Sequence, residues 1–561
     1  MKSLPVVRLL LILLSTISLA QTNPVPFISQ SLSPERALPG VKAFTLTVNG
    51  AGFVSGATVN WNGSPRTTVF VSSDKLQASI NATDVAAIGT ASITVVNPAP
   101  GGGTSNVGYF PILKSSATVA LSRSDHTLAS PGGGALVIGD FNSDGKPDVA
   151  ISSGGNSTIQ VLLGNGKGTF QTPISSTSPI QPFALLVGDF NGDGKLDLVA
   201  LDGLSNATVF LGDGAGHLTA QTPFTASANS SNMVAADLNG DGKLDLVTVG
   251  EDEGAWFADV FLGNGDGTFT EGQHLSLVTG LGNPAVGDFN GDGKLDLAIP
   301  DVDAHSHAVV DVFLGNGDGT FQSLVAYRTA YGGTAVAAAD LNNDGKLDLV
   351  TNGVSVLLGK GDGTFVNSGG TPVAPGAYNV DVGDFSGDGK LDVALATETS
   401  AGGKVFLLLG NGKGAFQTPL TFSAGSSLDN ALGMADFIGN GRFDLIDYSQ
   451  TAFSLYLQTA LSVSPTTIAF GGETVGTTSA AQTVTLTNIG TAALTLTITI
   501  GGANPTFGQT NTCGSSIAAA ATCTISVTFS PQSKGAKQGT LNITYPGWGS
   551  PQKVSLSGTG D

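Results

Sequence analysis

The residues best placed to do chemistry are carboxylates set two apart. The stretch Asp288-Phe289-Asn290-Gly291-Asp292-Gly293-Lys294-Leu295-Asp296 offers side-chain oxygens at positions 1, 3, 5 and 9 of a nine-residue loop. Close copies begin at Asp140, Asp189, Asp237, Asp340, Asp384 and Asp436, spaced 44 to 52 residues apart. Hard Ca2+ takes six to eight oxygen ligands in irregular geometry, which alternate carboxylates on a tight turn supply. Gly at position 6 permits the positive φ that curls the chain around an ion. Position 7, usually Lys, adds its backbone carbonyl, with the ammonium expected to point to solvent. The donor sets are Asp140, Asn142, Asp144, Lys146 and Asp148; Asp189, Asn191, Asp193, Lys195 and Asp197; Asp237, Asn239, Asp241, Lys243 and Asp245; Asp288, Asn290, Asp292, Lys294 and Asp296; Asp340, Asn342, Asp344, Lys346 and Asp348; and Asp384, Ser386, Asp388, Lys390 and Asp392.

Asp, Asn and Gly also make ordinary turns. Turn chemistry alone does not demand Asp at positions 1, 5 and 9 in six copies, and three carboxylates on nine residues repel without a cation. About six Ca2+, one per full loop, is the expectation. In the seventh copy Ile438 replaces the oxygen at position 3 and Asn440 the carboxylate at position 5, so Asp436 and Asp444 are expected to bind weakly or not at all.

These loops need strands to hold them. Each copy follows a short apolar run such as Ala184-Leu185-Leu186-Val187-Gly188 and leads into another, Leu196-Asp197-Leu198-Val199-Ala200. A third run, a Gly-rich turn and a fourth run opening at Phe321 complete the unit around Asp288. Val, Ile, Thr and Phe interleaved with turn residues mark strands, and no stretch holds a 3.6-residue apolar period. Seven units of four strands predict a closed seven-bladed β-propeller over residues 114–459. The seventh unit ends at its third strand, so Thr118 to Ser122 is expected to supply the fourth and close the ring. A solenoid, the alternative, leaves that strand unpaired. Phe or Leu at loop position 2 (Phe141, Phe190, Leu238, Phe289, Leu341, Phe385, Phe437) reads as an apolar peg between blades.

The Asp loops join strands 1 and 2 and lie on one face. On the other, the third and fourth units carry the chemically richest insertions: Glu253 and Trp256; Asp301, Asp303, His305 and His307; and Tyr327, Arg328 and Tyr331. Loops carry function more often than scaffold does, and aromatics with Arg are frequent binding anchors. Asp301, Asp303, His305 and His307 also offer transition-metal donors, though solvated loops read the same way. Catalysis is not expected: there are five His, no nucleophile elbow, and the paired carboxylates are assigned to calcium. A net charge of −20 argues against nucleic acid, whose phosphates require Lys and Arg patches.

Outside the repeats, Lys2 and Arg8 precede the apolar run Leu9 to Leu14, and Ser18-Leu19-Ala20 ends a stretch reading as a signal peptide over 1–20. The run is short of the ~20 residues that span a bilayer, so no transmembrane segment is expected after cleavage. Alternation bounded by turns predicts one β-sandwich over 24–113 and another over 461–559. Trp61 reads as a core residue. Cys513 and Cys523, the only cysteines, are expected to pair in an exported chain.

The run of apolar strand, Gly-Asp-Phe and Asp-rich loop resembles the FG-GAP (VCBS) repeat, the blade unit of integrin α-subunit propellers. Val48-Asn49-Gly50-Ala51-Gly52-Phe53, Val59-Asn60-Trp61-Asn62-Gly63 and Val95-Val96-Asn97-Pro98 resemble the IPT/TIG immunoglobulin-like domain. Val484-Thr485-Leu486-Thr487-Asn488-Ile489-Gly490 and Cys523 to Pro531 resemble the Hydin-type, major-sperm-protein-like immunoglobulin domain. The resemblance implies an all-β, secreted or cell-surface protein that binds an extracellular protein or glycan. A glycan-binding accessory role, or a propeller hydrolase or lyase, is the alternative.

Overall fold

The computed structural model describes residues 23–561 except 35, 88, 113–118, 120, 128–133, 231, 281, 372, 374–376, 400–401, 425–430, 450–451, 459, 489–492, 502–505, 519–520 and 546–549. The signal-peptide reading of residues 1–20 falls outside them. The regular elements among the described residues are strands apart from one 3-10 turn, Gly154–Asn156, and no helix among them is long and apolar enough to cross a membrane.

The repeats form antiparallel sheets of four strands, with a short fifth, Phe224–Thr225, in the second, and the first six pair their four main strands in chain order. The fourth is Ala285–Gly287, Asp296–Val302, Ala308–Phe313 and Val325–Arg328. The seventh begins with Ala431–Ala435, Asp444–Ser449 and Ala452–Gln458. Its outer strand is Leu121–Thr127, from before the first repeat, which pairs along Ala452–Gln458 from Leu121↔Gln458 to Thr127↔Ala452. The expected strand of Thr118 to Ser122 is thus shifted toward the C-terminus, and Thr118 lies outside the described residues.

First strands of successive sheets touch in sequence, and the seventh touches the first. The apolar clusters repeat that cycle. Phe141 packs between the first and second sheets, Phe190 between the second and third, and so on. Phe437 packs with Leu136, Val149 and Ile151 of the first sheet. A second bond recurs at these seams, where a Gly N–H from the turn between strands 3 and 4 reaches the position-2 carbonyl of the preceding sheet. Gly363 reaches Phe289 at 3.0 Å, and Gly168 of the first sheet reaches Phe437 of the seventh at 2.9 Å. Gly168 has φ +66, and a Cβ there would lie 2.8 Å from Leu457, so only glycine suits the approach. The arrangement is propeller-like.

The N-terminal unit is two sheets, one led by Phe27–Ser33 and Phe44–Ala51 and the other by Thr58–Trp61 and Gly89–Asn97, around a common core. Trp61 is 2 % exposed and packs on Phe110 at 5.2 Å. The C-terminal unit, Leu461–Ser464 through Gln552–Gly560, has two four-stranded sheets and a small third. Cys513 and Cys523 are bonded across a separation of 10 residues.

Candidate functional site

In all seven loops the position-1 carboxylate is gripped by its own backbone. Its Oδ1 accepts the N–H of position 5 at 2.9–3.2 Å and its Oδ2 accepts that of Gly at position 6 at 2.7–2.9 Å. Oδ1 of the position-3 Asn accepts from position 5, and position 5 accepts from the N–H of position 7. These Asx turns curl the chain so that the oxygens share one side.

Position 9 does a second job that the spacing did not reveal. Asp296 accepts the N–H of Phe289 on Oδ2 and that of Gly315 on Oδ1, both at 2.8 Å. The same brace recurs at Asp148, Asp197, Asp245 and Asp348, and in the degenerate seventh copy Asp444 accepts the Phe437 N–H and, in place of the glycine, the Gln458 N–H at the end of strand 3. Asp392 differs only in taking Ser386 N–H in place of position 2. An acid at position 9 thus has a structural reason independent of any ion: it braces the loop against the end of strand 3. The position-7 Lys side chains are exposed, as expected, and in five loops the ammonium also reaches the position-5 carboxylate, from 2.6 Å at Lys146–Asp144 to 3.8 Å at Lys294–Asp292.

Burial, opposed in part by these backbone bonds and reinforced by the neighbouring carboxylates, raises the position-9 acids: Asp148 and Asp197 to about 6, Asp245, Asp296 and Asp348 to about 7, and Asp392 to about 8. Like charges so placed favour a cation, and the donor set is the all-oxygen type Ca2+ accepts. Oδ1 of Asp189, Asp237 and Asp288 also accepts the position-4 Gly N–H, and Asp237 Oδ2 that of Val25, whereas an oxygen holding one N–H, such as Asp288 Oδ2, keeps a second lone pair for an ion. The three carboxylates of each loop do not close to within 4.8 Å of one another; among the described residues the group that does so is Asp303, His305 and His307.

That group sits on the opposite face, in the turn between Asp296–Val302 and Ala308–Phe313. Asp303 Oδ1 accepts the N–H groups of His305 and His307 at 2.9 and 3.0 Å, and His307 Nδ1 lies 3.0 Å from it. Arg328 Nη2 reaches Asp303 Oδ2 at 2.9 Å and lies 3.1 Å from His307 Nδ1. The backbone N–H of His307 is the main cause holding the Asp303 carboxyl far below its usual range. Tyr331 is 40 % exposed; Glu253 is exposed at the tip of the preceding unit's hairpin and Trp256 half-buried beside it.

Two expected members do not belong. Asp301, 1 % exposed, accepts the N–H groups of Val278, Thr279 and Gly280 and so fastens the connection from the third sheet. Tyr327 packs edge-on to Phe365, and its hydroxyl donates to the Gly363 carbonyl in the seam with the fifth sheet.

The Asp-loop face is largely taken. The Val25 N–H donates to Asp237 Oδ2 at 2.8 Å. A Cβ at Gly242 would lie 2.5 Å from the Asn23 carbonyl, one at Gly441 2.7 Å from the Gly89 carbonyl, and one at Gly293 against Ser73. The N-terminal sandwich thus lies over the third, fourth and seventh loops. Sequence reasoning missed this docking, and it missed Asp381. Six first strands place Val137, Leu186, Val234, Ala285, Ala337 or Gly433 three residues ahead of the loop; the sixth alone places a carboxylate there.

The FG-GAP-like repeat pattern matches residues 140–200, 189–248, 247–299, 300–351, 351–395 and 384–446, and the pattern of Cep192 domain 4 matches residues 458–561. No curated protein matches the chain. Three solved structures align with the chain in whole or in part. The exotype rhamnogalacturonan lyase YesX aligns over 78% of this chain and 91% of its own at 14% identity, TM-score 0.39. An auxiliary nutrient binding protein from Bacteroides ovatus aligns over 77% and 97% at 12%, TM-score 0.33. PapD-like domain 7 of human CEP192 aligns over 18% and 86% at 17%, TM-score 0.16. Likenesses this loose carry no argument about activity. The six consecutive repeat matches run from Asp140 through the loop at Asp436 and span more than half of the sequence, and on that ground the chain belongs to the FG-GAP-like repeat family.

Proposed function

We propose that the chain is a secreted, calcium-stabilised, non-catalytic ligand-binding protein: a closed seven-bladed β-propeller between an IPT/TIG-like and a Hydin-type sandwich, capturing an extracellular protein or glycan on the face opposite the Asp loops. The observation that carries the reading is the division of faces. The N-terminal sandwich covers much of the Asp-loop face, while Asp303, His305, His307 and Arg328 cluster on the other. Arg328 stands where a metal ion would bridge Asp303 and His307, which favours a polar or anionic ligand over a transition metal. The basic and apolar opening residues and the Cys513–Cys523 bond fit export.

Calcium would be held by positions 1, 3, 5 and 9 and the position-7 carbonyl of the first six loops, supplying positive charge that offsets the clustered carboxylates. Calorimetric titration of chelator-treated protein is expected to show about six sites; no Ca2+ uptake refutes the assignment. For the ligand, glycan and extracellular-protein arrays are probed with wild type, Arg328→Ala and His307→Ala. A ligand bound by wild type and lost in both variants supports the reading. Retention in both refutes this face as the site.

A further inference from the structure

A cavity of about 330 Å3 lies where the ring of first strands meets the N-terminal sandwich. Its ring side includes Val137, Val187, Leu432 and Met434, and its sandwich side Leu32 and Pro111. Among the described residues lining it there is no Lys, Arg or His. Asp381, itself half-buried, stands on the wall of this mostly apolar space, and its Oδ2 is out of reach of water and has no hydrogen-bond partner among the described residues.

A buried carboxyl without a partner is costly in either ionisation state, and an ionised one needs a counter-charge. Among the described residues no backbone N–H grips Asp381 as the position-1 and position-9 acids are gripped, so none gives it the bracing role that explains them. We propose that this cavity binds a small organic ammonium ion, an amine carried on a compact apolar body, with Asp381 as its counter-ion. The apolar walls take the body and the carboxylate takes the N–H groups through charge-assisted hydrogen bonds. The volume falls at the small end of ligand pockets, which suits a single-ring amine. This site is separate from the Asp303–Arg328 face and stands or falls apart from it.

Benzylamine and its neutral counterpart benzyl alcohol are titrated into the full chain in excess calcium and followed by calorimetry and ligand-observed NMR. Wild type is expected to bind benzylamine at least tenfold more tightly than the alcohol. Asp381→Asn, close to isosteric, is expected to lose that preference. Equal affinity of wild type for the two probes, or no binding of either, overturns the proposal without recourse to a variant. An Asp381→Asn protein that keeps the preference overturns it as well.

Discussion

Replacing Asp381 by Asn tests the electrostatics of the cavity without any ligand. Burial alone pushes its carboxyl from 3.8 up to about 7. The sign follows from proton counts. Between those two values the folded state holds a proton that the unfolded chain has released, so stability falls as pH rises from 3.8 to 7 and is flat above. The penalty on the wild type amounts to about 2 kcal/mol at pH 5 and about 4 kcal/mol at pH 8. Asn does not titrate, so its advantage over Asp should grow by roughly 2 to 3 kcal/mol across that interval. For a domain of this size the melting temperature of the variant should gain on the wild type by on the order of 3–5 °C between pH 5 and pH 8. Scanning calorimetry in excess calcium reads this directly. Asp384 and Tyr109 line the same cavity and titrate with raised values of about 6 and 12, but both proteins keep them, so they cancel in the difference. An advantage that does not change between pH 5 and pH 8 refutes the reasoning, because the carboxyl would then be solvated or paired.

Three further outcomes follow from the same geometry. Phe437→Ala should cost about 3–5 kcal/mol, as a buried Phe between packed sheets does, and as much as Phe289→Ala in an interior seam; denaturant unfolding that finds Phe437→Ala nearly neutral would mean the seventh sheet does not close on the first. Chelating calcium should raise hydrogen exchange at Val25, whose N–H is held by Asp237, more than at Val59 in the sandwich core; equal changes at both would separate loop occupancy from docking. Replacing Cys513 and Cys523 by Ser should lower stability of the C-terminal sandwich by about 2–3 kcal/mol, given the short loop the bond closes, while the propeller's own transition stays in place.

What the sequence disclosed and what it hid divide along the range of the forces involved. Positions 1, 3, 5 and 6 of the loop act within nine residues, so the tight turn they form was legible in their spacing, and Phe437 could be named as a peg because its register is fixed by Asp436. Asp301 and Tyr327 were misread because their partners come from elsewhere: the connection at Val278 to Gly280 and the turn at Gly363. Asp296 was half read. Its distance from Asp288 suggested an ion, while its bond to Gly315 depends on a turn 19 residues on. Asp381 was invisible as chemistry, since an acid in an apolar strand gains meaning only when seven first strands and a second domain bring walls around it.

The division of faces is the step from which the functional reading follows. A loop whose carboxylates are clamped by its own backbone at position 1 and by the neighbouring turn at position 9 has little freedom to adapt to a varied ligand. Such rigidity suits a docking platform, and the N-terminal sandwich uses it through Val25, Asn23 and Ser73. Among the described residues the turns on the other face share no clamp across all units: Asp202 and Asp303 each take two N–H groups of their own turn, while Glu251 takes that of Gly254. Their side chains differ from unit to unit, so Glu253 at one hairpin tip is followed by Asp303, His305 and His307 at the next. Variation is affordable there because the seams are already fixed by the position-2 pegs and the Gly-to-carbonyl bonds. A repeat protein built this way places its constant chemistry where it must hold together and its variable chemistry where it must discriminate.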